Sequence, residues 1–281
     1  ITETLRGKGI HVLLSSVPVN LRHSAPFLSV HQRDLTSDLL DQWHEATRKG
    51  AQSSDQGDWD HAIAHFQAAL SIDPGHADTH FRLATAFENV RQFQQARTHY
   101  QRALDLDALR FRADTRINQI IRQVATSMGD DAVSFVDSAA AAEQASQPFQ
   151  PGWNLLLEHV HYDFAGNDVI AAGISRSIMN SLTGTDTYQP LPGVEVARRV
   201  GFPNFDTIDE IRNLQRMTQR PPFPGQSNYA GLQQSLRTYY GRGARGTLLR
   251  VGAKFWKRLL EESSLTVKPQ IPIARTLATA A

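Results

Sequence analysis

Apolar side chains recur at two different periods along the middle of the chain. From about residue 113 to 128 they follow helical spacing, which predicts a helix with one apolar face. The positions that show this spacing are Ile117, Ile120, Ile121 and Val124. The apolar run at residues 132–136 is short and ends at Asp137, so it predicts a buried strand. A second helical pattern covers about residues 169–179.

Another apolar run, IHVLLSSVPV at residues 10–19, predicts a core strand near the start of the chain. Helices and strands in this order are typical of an open α/β sheet. The functional sites of such sheets lie beyond the carboxyl ends of the strands. We therefore expect chemistry in the polar loop that follows Asp137.

The segment between these two regions contains a repeat with a period of 34 residues. Its two copies align position by position. The matched pairs are Gly57 with Arg91, Trp59 with Phe93, Ala62 with Ala96, Phe66 with Tyr100, Ala69 with Ala103, Leu70 with Leu104, Ile72 with Leu106, Asp73 with Asp107 and Pro74 with Ala108. Small alanines at close helix contacts, with aromatic residues opposite them, predict packed helical hairpins.

This pattern is typical of the tetratricopeptide repeat, a protein-binding helical hairpin. Two repeats bury little apolar surface, and about three units usually make a stable stack. The predicted helix that starts near Leu109 is the natural cap. We therefore predict an all-α insertion at residues 38–108 within the α/β piece. It could bind a peptide or protein partner, or it could act as a lid or spacer.

In the polar loop, Glu158 stands three residues before His161. Such an acid can fix the tautomer of the ring and stabilise the imidazolium, while the other ring nitrogen takes a proton from a nucleophile. The same spacing also suits a structural histidine. His159 is the alternative base, but alternation in a turn would point it away.

No metal or cofactor site is expected. Four histidines lie in or near the repeats without the spacing of a zinc site, and we predict them to be surface residues. They are His65, His76, His80 and His99. The glycines at 241, 243 and 246 do not follow a predicted strand, so they do not form a nucleotide-binding loop.

The acid-histidine loop resembles the last conserved block of the SGNH (GDSL-type) hydrolases. That block is an Asp-x-x-His turn followed by an apolar residue and a glycine-led helix, and Glu158-x-x-His161 with Phe164-x-Gly166 looks like it. The resemblance covers residues 1–30 and 109–183. It implies an open parallel sheet with helices, incomplete at its amino end, with the repeats inserted.

The resemblance also implies an ester hydrolase or acyl-transfer enzyme acting on an ester or acylated substrate, with His161 as general base and Glu158 as its orienting acid. Glutamate stands where that family usually has aspartate. The family's serine nucleophile would lie upstream of Ile1, and Ser15 and Ser16 lack its context. We therefore expect a fragment that is inactive alone. The alternative is a noncatalytic interaction scaffold built on the repeats.

Beyond the α/β piece, residues 184–262 predict a helical extension and residues 263–281 a disordered tail. Between Arg237 and Arg258 the sequence has basic residues and no acids, interleaved with apolar ones. Such a helix can lie on an anionic membrane surface, although packing its apolar stripe on the parent domain is the commoner arrangement.

Charge and composition narrow the remaining classes. The 281 residues contain 29 basic and 28 acidic side chains, a net charge of +1, so the whole chain gives no case for nucleic-acid binding. Cysteine is absent, which excludes disulfides and thiol nucleophiles. These features leave the cellular compartment undetermined.

Overall fold

A computed structural model describes residues 2–128, 133–186, 188–200 and 205–239. The described part of the chain is mostly helical and contains one small sheet. The strands are β1 (Val12–Ser15) and β2 (Val133–Val136). The α-helices are α1 (Thr2–Arg6), α2 (Ser37–Asp55), α3 (Trp59–Ile72), α4 (Ala77–Asn89), α5 (Phe93–Asp105), α6 (Thr115–Met128), α7 (Ser138–Ser146), α8 (Phe164–Thr183), α9 (Gly193–Val200), α10 (Phe205–Thr218) and α11 (Tyr229–Tyr239).

Helices α2 to α5 form two packed helical hairpins. In the first hairpin, Gly50 of α2 lies so close to the ring of Phe66 that a Cβ atom would sit 2.6 Å from it. In both hairpins the turn between the helices uses a left-handed backbone, at Gly57 (φ 74°) and at its repeat partner Arg91 (φ 61°). The repeat therefore sets the turn geometry as well as the core.

The histidines of the hairpins are not all surface residues. His76 and His80 are buried, so the prediction that they lie on the surface is wrong. The ring of His76 caps α4, because its Nδ1 accepts the N–H of Thr79 at 3.3 Å. Nδ1 of His80 forms a hydrogen bond with Nδ1 of His99 at 2.8 Å. Nε2 of His80 lies 3.0 Å from the carbonyl oxygen of Pro74.

Strands β1 and β2 pair in parallel, with Val12 opposite Val133. Beyond their carboxyl ends, Ser16 Oγ donates to Asp137 at 2.8 Å and accepts the N–H of Ala139 at 2.9 Å. Helices α6 and α8 both pack on this sheet. The described residues contain these two strands alone, so the wider sheet that the resemblance implies is not shown.

A segment without regular secondary structure, residues 16–31, joins the sheet to the hairpins. Val19, Leu21 and Ala25 are buried in the same core as the hairpin helices. Further along the chain, α10 and α11 close over Phe27 and Leu157 in a second apolar cluster. The sheet, the hairpins and the helices near residue 230 are therefore held in contact by one crossing segment.

Two predictions lie outside the described residues. They are the part of the helical extension that follows residue 239 and the disordered tail at 263–281. The domain limits at 38–108 and 109–183 also stay predictions. Within the described part of the chain, no helix is both long enough and apolar enough to span a bilayer.

Replacing Gly50 by alanine should destabilise the first hairpin. A helical Gly→Ala change alone stabilises by about 1 kcal/mol, but here the new Cβ overlaps Phe66, and overpacking costs about 1 to 3 kcal/mol. We expect a net loss, measured as a lower free energy of unfolding in urea. Gly225→Ala is the matched control, because a Cβ there meets no atom within 4 Å. An equal effect of both changes would contradict the close contact.

Stability should also fall in acid because of His23. Its ring stacks on Trp153 at 4.1 Å, and its Nδ1 accepts the N–H of Trp153 at 3.1 Å. Burial, together with the nearby charge of Arg22, lowers the pKa of His23 to about 3. The unfolded chain, with a histidine pKa near 6.5, therefore binds the extra proton, and stability present above that pH is lost as pH falls.

We expect this group to remove about 1.4 kcal/mol of unfolding free energy per pH unit between about pH 6 and pH 4. In His23→Asn the amide oxygen keeps an acceptor near Nδ1 but cannot titrate. The variant should lose stacking energy at every pH and show a shallower pH dependence in urea titrations. Parallel curves for the two proteins would show that His23 does not contribute.

Candidate functional site

The carboxylate of Glu158 lies between two histidine rings. Its side chain is 0% exposed. Oε1 accepts three hydrogen bonds, from His161 Nδ1 at 2.5 Å, from the His161 N–H at 2.6 Å and from the Val160 N–H at 3.1 Å. Oε2 lies against Nδ1 of His159. The expected pairing of Glu158 with His161 is therefore present in the geometry.

This contact fixes the proton position on His161. A carboxylate accepts only, so Nδ1 of the imidazole must carry the hydrogen. In the neutral ring Nε2 is then the unprotonated nitrogen, and the His161 side chain is 48% exposed. An exposed imidazole whose Nδ1–H is held by a buried carboxylate is the arrangement that a general base requires.

His159 does not point away from Glu158, as the alternation of side chains in a turn predicts. Its Nδ1 turns toward Glu158, and its ring packs edge-on against Phe27 and Phe223, each at 5.2 Å. The side chain is only 11% exposed. Burial lowers the pKa of His159 to about 3, and the charges of Arg112 and His161 act in the same direction. A sealed neutral ring cannot receive a proton from a substrate, so His161 is the accessible histidine.

The loop that carries these groups is a closed turn. Leu156 bridges Tyr162, and the N–H of Leu157 donates to the His161 carbonyl at 2.8 Å. At its end Asp163 caps α8 by accepting the N–H of Gly166 at 2.9 Å. A Cβ at Gly166 would lie 2.2 Å from the Leu155 carbonyl oxygen, so glycine is needed there.

Spacing alone does not produce this environment. Asp58 and His61 repeat the acid-x-x-His pattern at the start of α3, with Nδ1 at 2.7 Å from the carboxylate. That pair is on the surface, because the Asp58 side chain is 47% exposed and the His61 side chain 72%. Burial of the acid is thus what distinguishes Glu158 from Asp58.

No nucleophile is paired with His161 in the part of the chain that the structure describes. The hydroxyl of Ser16 is engaged by Asp137 and the N–H of Ala139. The hydroxyl of Ser15 lies 2.7 Å from that of Ser138. Both serines therefore fasten the ends of the two strands.

The carboxyl ends of β1 and β2 face a cleft of about 280 Å³ between α5, α6 and α7. Its charged rim is already paired, because Arg97 binds Glu143 and Arg122 binds Asp137. Neither Glu158 nor His161 lines this cleft. The acid-histidine pair therefore lies outside this cleft.

The three arginines near the junction of sheet and hairpins have structural partners. Arg22 holds Glu88 through Nε at 2.8 and 2.9 Å and lies 4.0 Å above the ring of Phe149. Arg110 pairs with Asp114, and Arg112 with Asp107 at 3.2 Å. They form salt bridges at this junction. The described residues also contain no cluster of histidines and acids arranged to hold a metal ion.

Sequence reasoning missed Asn20 and the inward turn of His159. Asn20 is fully buried, and its Nδ2 donates to the Glu158 carbonyl at 2.8 Å. The two residues are 138 positions apart, and no local pattern joins them. A lone asparagine after an apolar run was the single available signal.

Comparison with known proteins supports the helical hairpins. The tetratricopeptide repeat family matches residues 54–114. Comparisons with curated proteins and with solved structures gave no match. The match confirms the prediction of a tetratricopeptide repeat, and the SGNH resemblance gains no support from these comparisons. The chain therefore carries tetratricopeptide repeats, which typically bind proteins or peptides.

Proposed function

We propose that this chain is an interaction module whose first repeat binds an extended peptide of a partner protein. The observation that carries the proposal is that the chain's own crossing segment contacts helix α4 of the second repeat. Glu88 of α4 binds Arg22, and the Asp78 N–H donates to Ser29 Oγ at 2.8 Å. The chain's own crossing segment thus contacts α4 near both of its ends, through Arg22 and Ser29.

The 34-residue period identifies the positions of the first repeat that correspond to this surface. Asp78, Thr85 and Glu88 of α4 correspond to His44, Ala51 and Ser54 of α2. His44 is exposed, and Ala51 and Ser54 are half-buried. We name these three residues the α2 surface. Because a segment of the chain contacts these positions on α4, we expect a segment of a partner protein to contact the corresponding positions on α2.

Site-specific photocrosslinking tests this proposal. A photoreactive benzophenone amino acid is placed at position 44 of the α2 surface in cells that naturally make the protein. We expect one dominant protein adduct, which mass spectrometry identifies together with the crosslinked peptide. The crosslinked residues should lie in an extended segment of the partner.

Ala68 provides the matched control position, because it is exposed on α3 of the same hairpin. The same amino acid at position 68 should give no such adduct. Equal labelling from both positions, or none from position 44, would overturn the proposal of a partner site on α2.

A second candidate function rests on a different observation, the buried Glu158 carboxylate bound to an exposed His161. We propose that the pair is the acid-histidine half of an ester-hydrolysing or acyl-transfer site. Nε2 of His161 would accept the proton of a serine hydroxyl as that hydroxyl attacks an acyl carbon. Glu158 would hold the tautomer and stabilise the imidazolium that results.

The resemblance to the SGNH hydrolases motivates this second candidate, in which a serine not identified among the described residues would be the nucleophile. Glu158-x-x-His161 occupies the position of that family's acid-histidine turn. The glycine at position 166, required by the Leu155 carbonyl, fits the glycine-led helix that follows the turn. Both features lie in the loop between α7 and α8 and at the start of α8.

Turnover of a short activated ester, such as p-nitrophenyl acetate, tests the second candidate in the polypeptide made from the complete coding sequence. His161→Ala should lower kcat/KM by at least about 1,000-fold, because the general base is lost. His61→Ala is the matched control, since His61 has the same spacing from an acid but an exposed partner. Unchanged turnover in His161→Ala would remove His161 from any hydrolytic mechanism.

A further inference from the structure

A chain of buried hydrogen bonds runs from the second hairpin to the Glu158 loop. It starts at Asp107, which lies just beyond α5. The two carboxylate oxygens of Asp107 accept four hydrogen bonds. The donors are the backbone N–H groups of Phe27 at 2.9 Å, Leu28 at 3.1 Å and Leu109 at 3.1 Å, and Nη2 of Arg112 at 3.2 Å. Asp107 therefore faces donors on every side.

Arg112 continues this chain inward. Its side chain is 2% exposed and that of Asp107 is 3% exposed. Nη1 of Arg112 donates to the carbonyl oxygens of Asn20 at 2.9 Å and Ser24 at 2.6 Å. The planar guanidinium thus fixes Asp107 and two carbonyl groups of the crossing segment in one orientation.

Asn20 is the last link before the site. Its Nδ2 donates to the Glu158 carbonyl at 2.8 Å and its N–H donates to the His159 carbonyl at 3.1 Å. Its Oδ1 accepts the N–H of His23 at 2.8 Å. With the carbonyl held by Arg112, every polar group of Asn20 is used, so the backbone of residues 158–159 cannot turn without breaking hydrogen bonds.

We propose that Asp107, Arg112 and Asn20 are positioning residues for the Glu158–His161 pair, so that the second repeat sets the geometry of this site. The inference rests on the hydrolytic role proposed for the pair. None of the three side chains touches His161. They act by fixing the backbone that aims the Glu158 carboxylate at Nδ1 of His161.

The repeat itself offers a matched control. Asp73 is the partner of Asp107 in the 34-residue period, and it is equally buried. It binds His31 Nδ1 at 2.8 Å and the N–H of Gly75 at 3.3 Å. No described contact joins Asp73 to Arg112 or Asn20. A change at Asp73 therefore damages the hairpins without touching the proposed chain of hydrogen bonds.

The experiment uses long-range ¹H–¹⁵N correlation spectra of the histidine rings in this chain at pH 7. The signals of His161 are assigned from their loss in His161→Gln. In the wild type we expect the Nδ1–H tautomer. In Asp107→Asn the amide group must face an N–H donor, and we expect the ratio of Nδ1–H to Nε2–H to fall about fivefold, the size of one hydrogen bond. Asp73→Asn should leave the ratio unchanged.

Urea unfolding of each variant shows that the spectra report folded protein. If Asp107→Asn does not fold, Arg112→Lys serves instead, because a lysine cannot reach Asp107 and both carbonyl groups together. An unchanged His161 ratio in the folded variant would overturn the inference. An equal change of the His161 ratio in Asp73→Asn would also overturn it, because that result would indicate a general effect of destabilising the hairpins. The readout needs no turnover, so failure here is distinct from failure of the proposed hydrolysis.

Discussion

The requirement to satisfy one buried carboxylate shapes much of this protein. Asp107 and Arg112 form an ion pair away from solvent, and taking two charges out of water costs several kcal/mol unless additional hydrogen bonds compensate. The compensating groups come from the crossing segment, at Phe27, Leu28, Asn20 and Ser24. These hydrogen bonds hold the crossing segment against the end of the second hairpin. Because the segment continues from β1 and binds the acid-histidine loop through Asn20, they also help to position the sheet and that loop.

The repeat could be predicted because its information is local. Alanines, aromatics and turn positions recur every 34 residues, and each contributes to packing within a hairpin. The contact between Glu158 and His161 could also be predicted, since three residues separate them. Asp58 and His61 show the limit of such reasoning, because the same spacing there gives an exposed pair. Burial depends on groups far away in the sequence.

The position of His159 could not be predicted for that reason. Its ring packs against Phe27 and Phe223. One of these residues precedes His159 and the other follows it, and both are more than 60 positions away in the sequence. The same holds for His76 and His80, which are predicted to lie on the surface and are buried in the structure. The hairpins also serve as an internal support here, since the crossing segment packs into their core and binds α4 through Arg22 and Ser29.

The parallel pairing of β1 and β2 has a consequence for the order of folding. Val12 and Val133 are partners, although the whole hairpin array lies between them in the chain. Closing so long an unstructured loop is entropically costly and slow. The hairpins consist of near-neighbour contacts and form on faster timescales, and once formed they shorten the path between the strands. We infer that strand pairing is a late event, and that the array works as a template on which the sheet assembles.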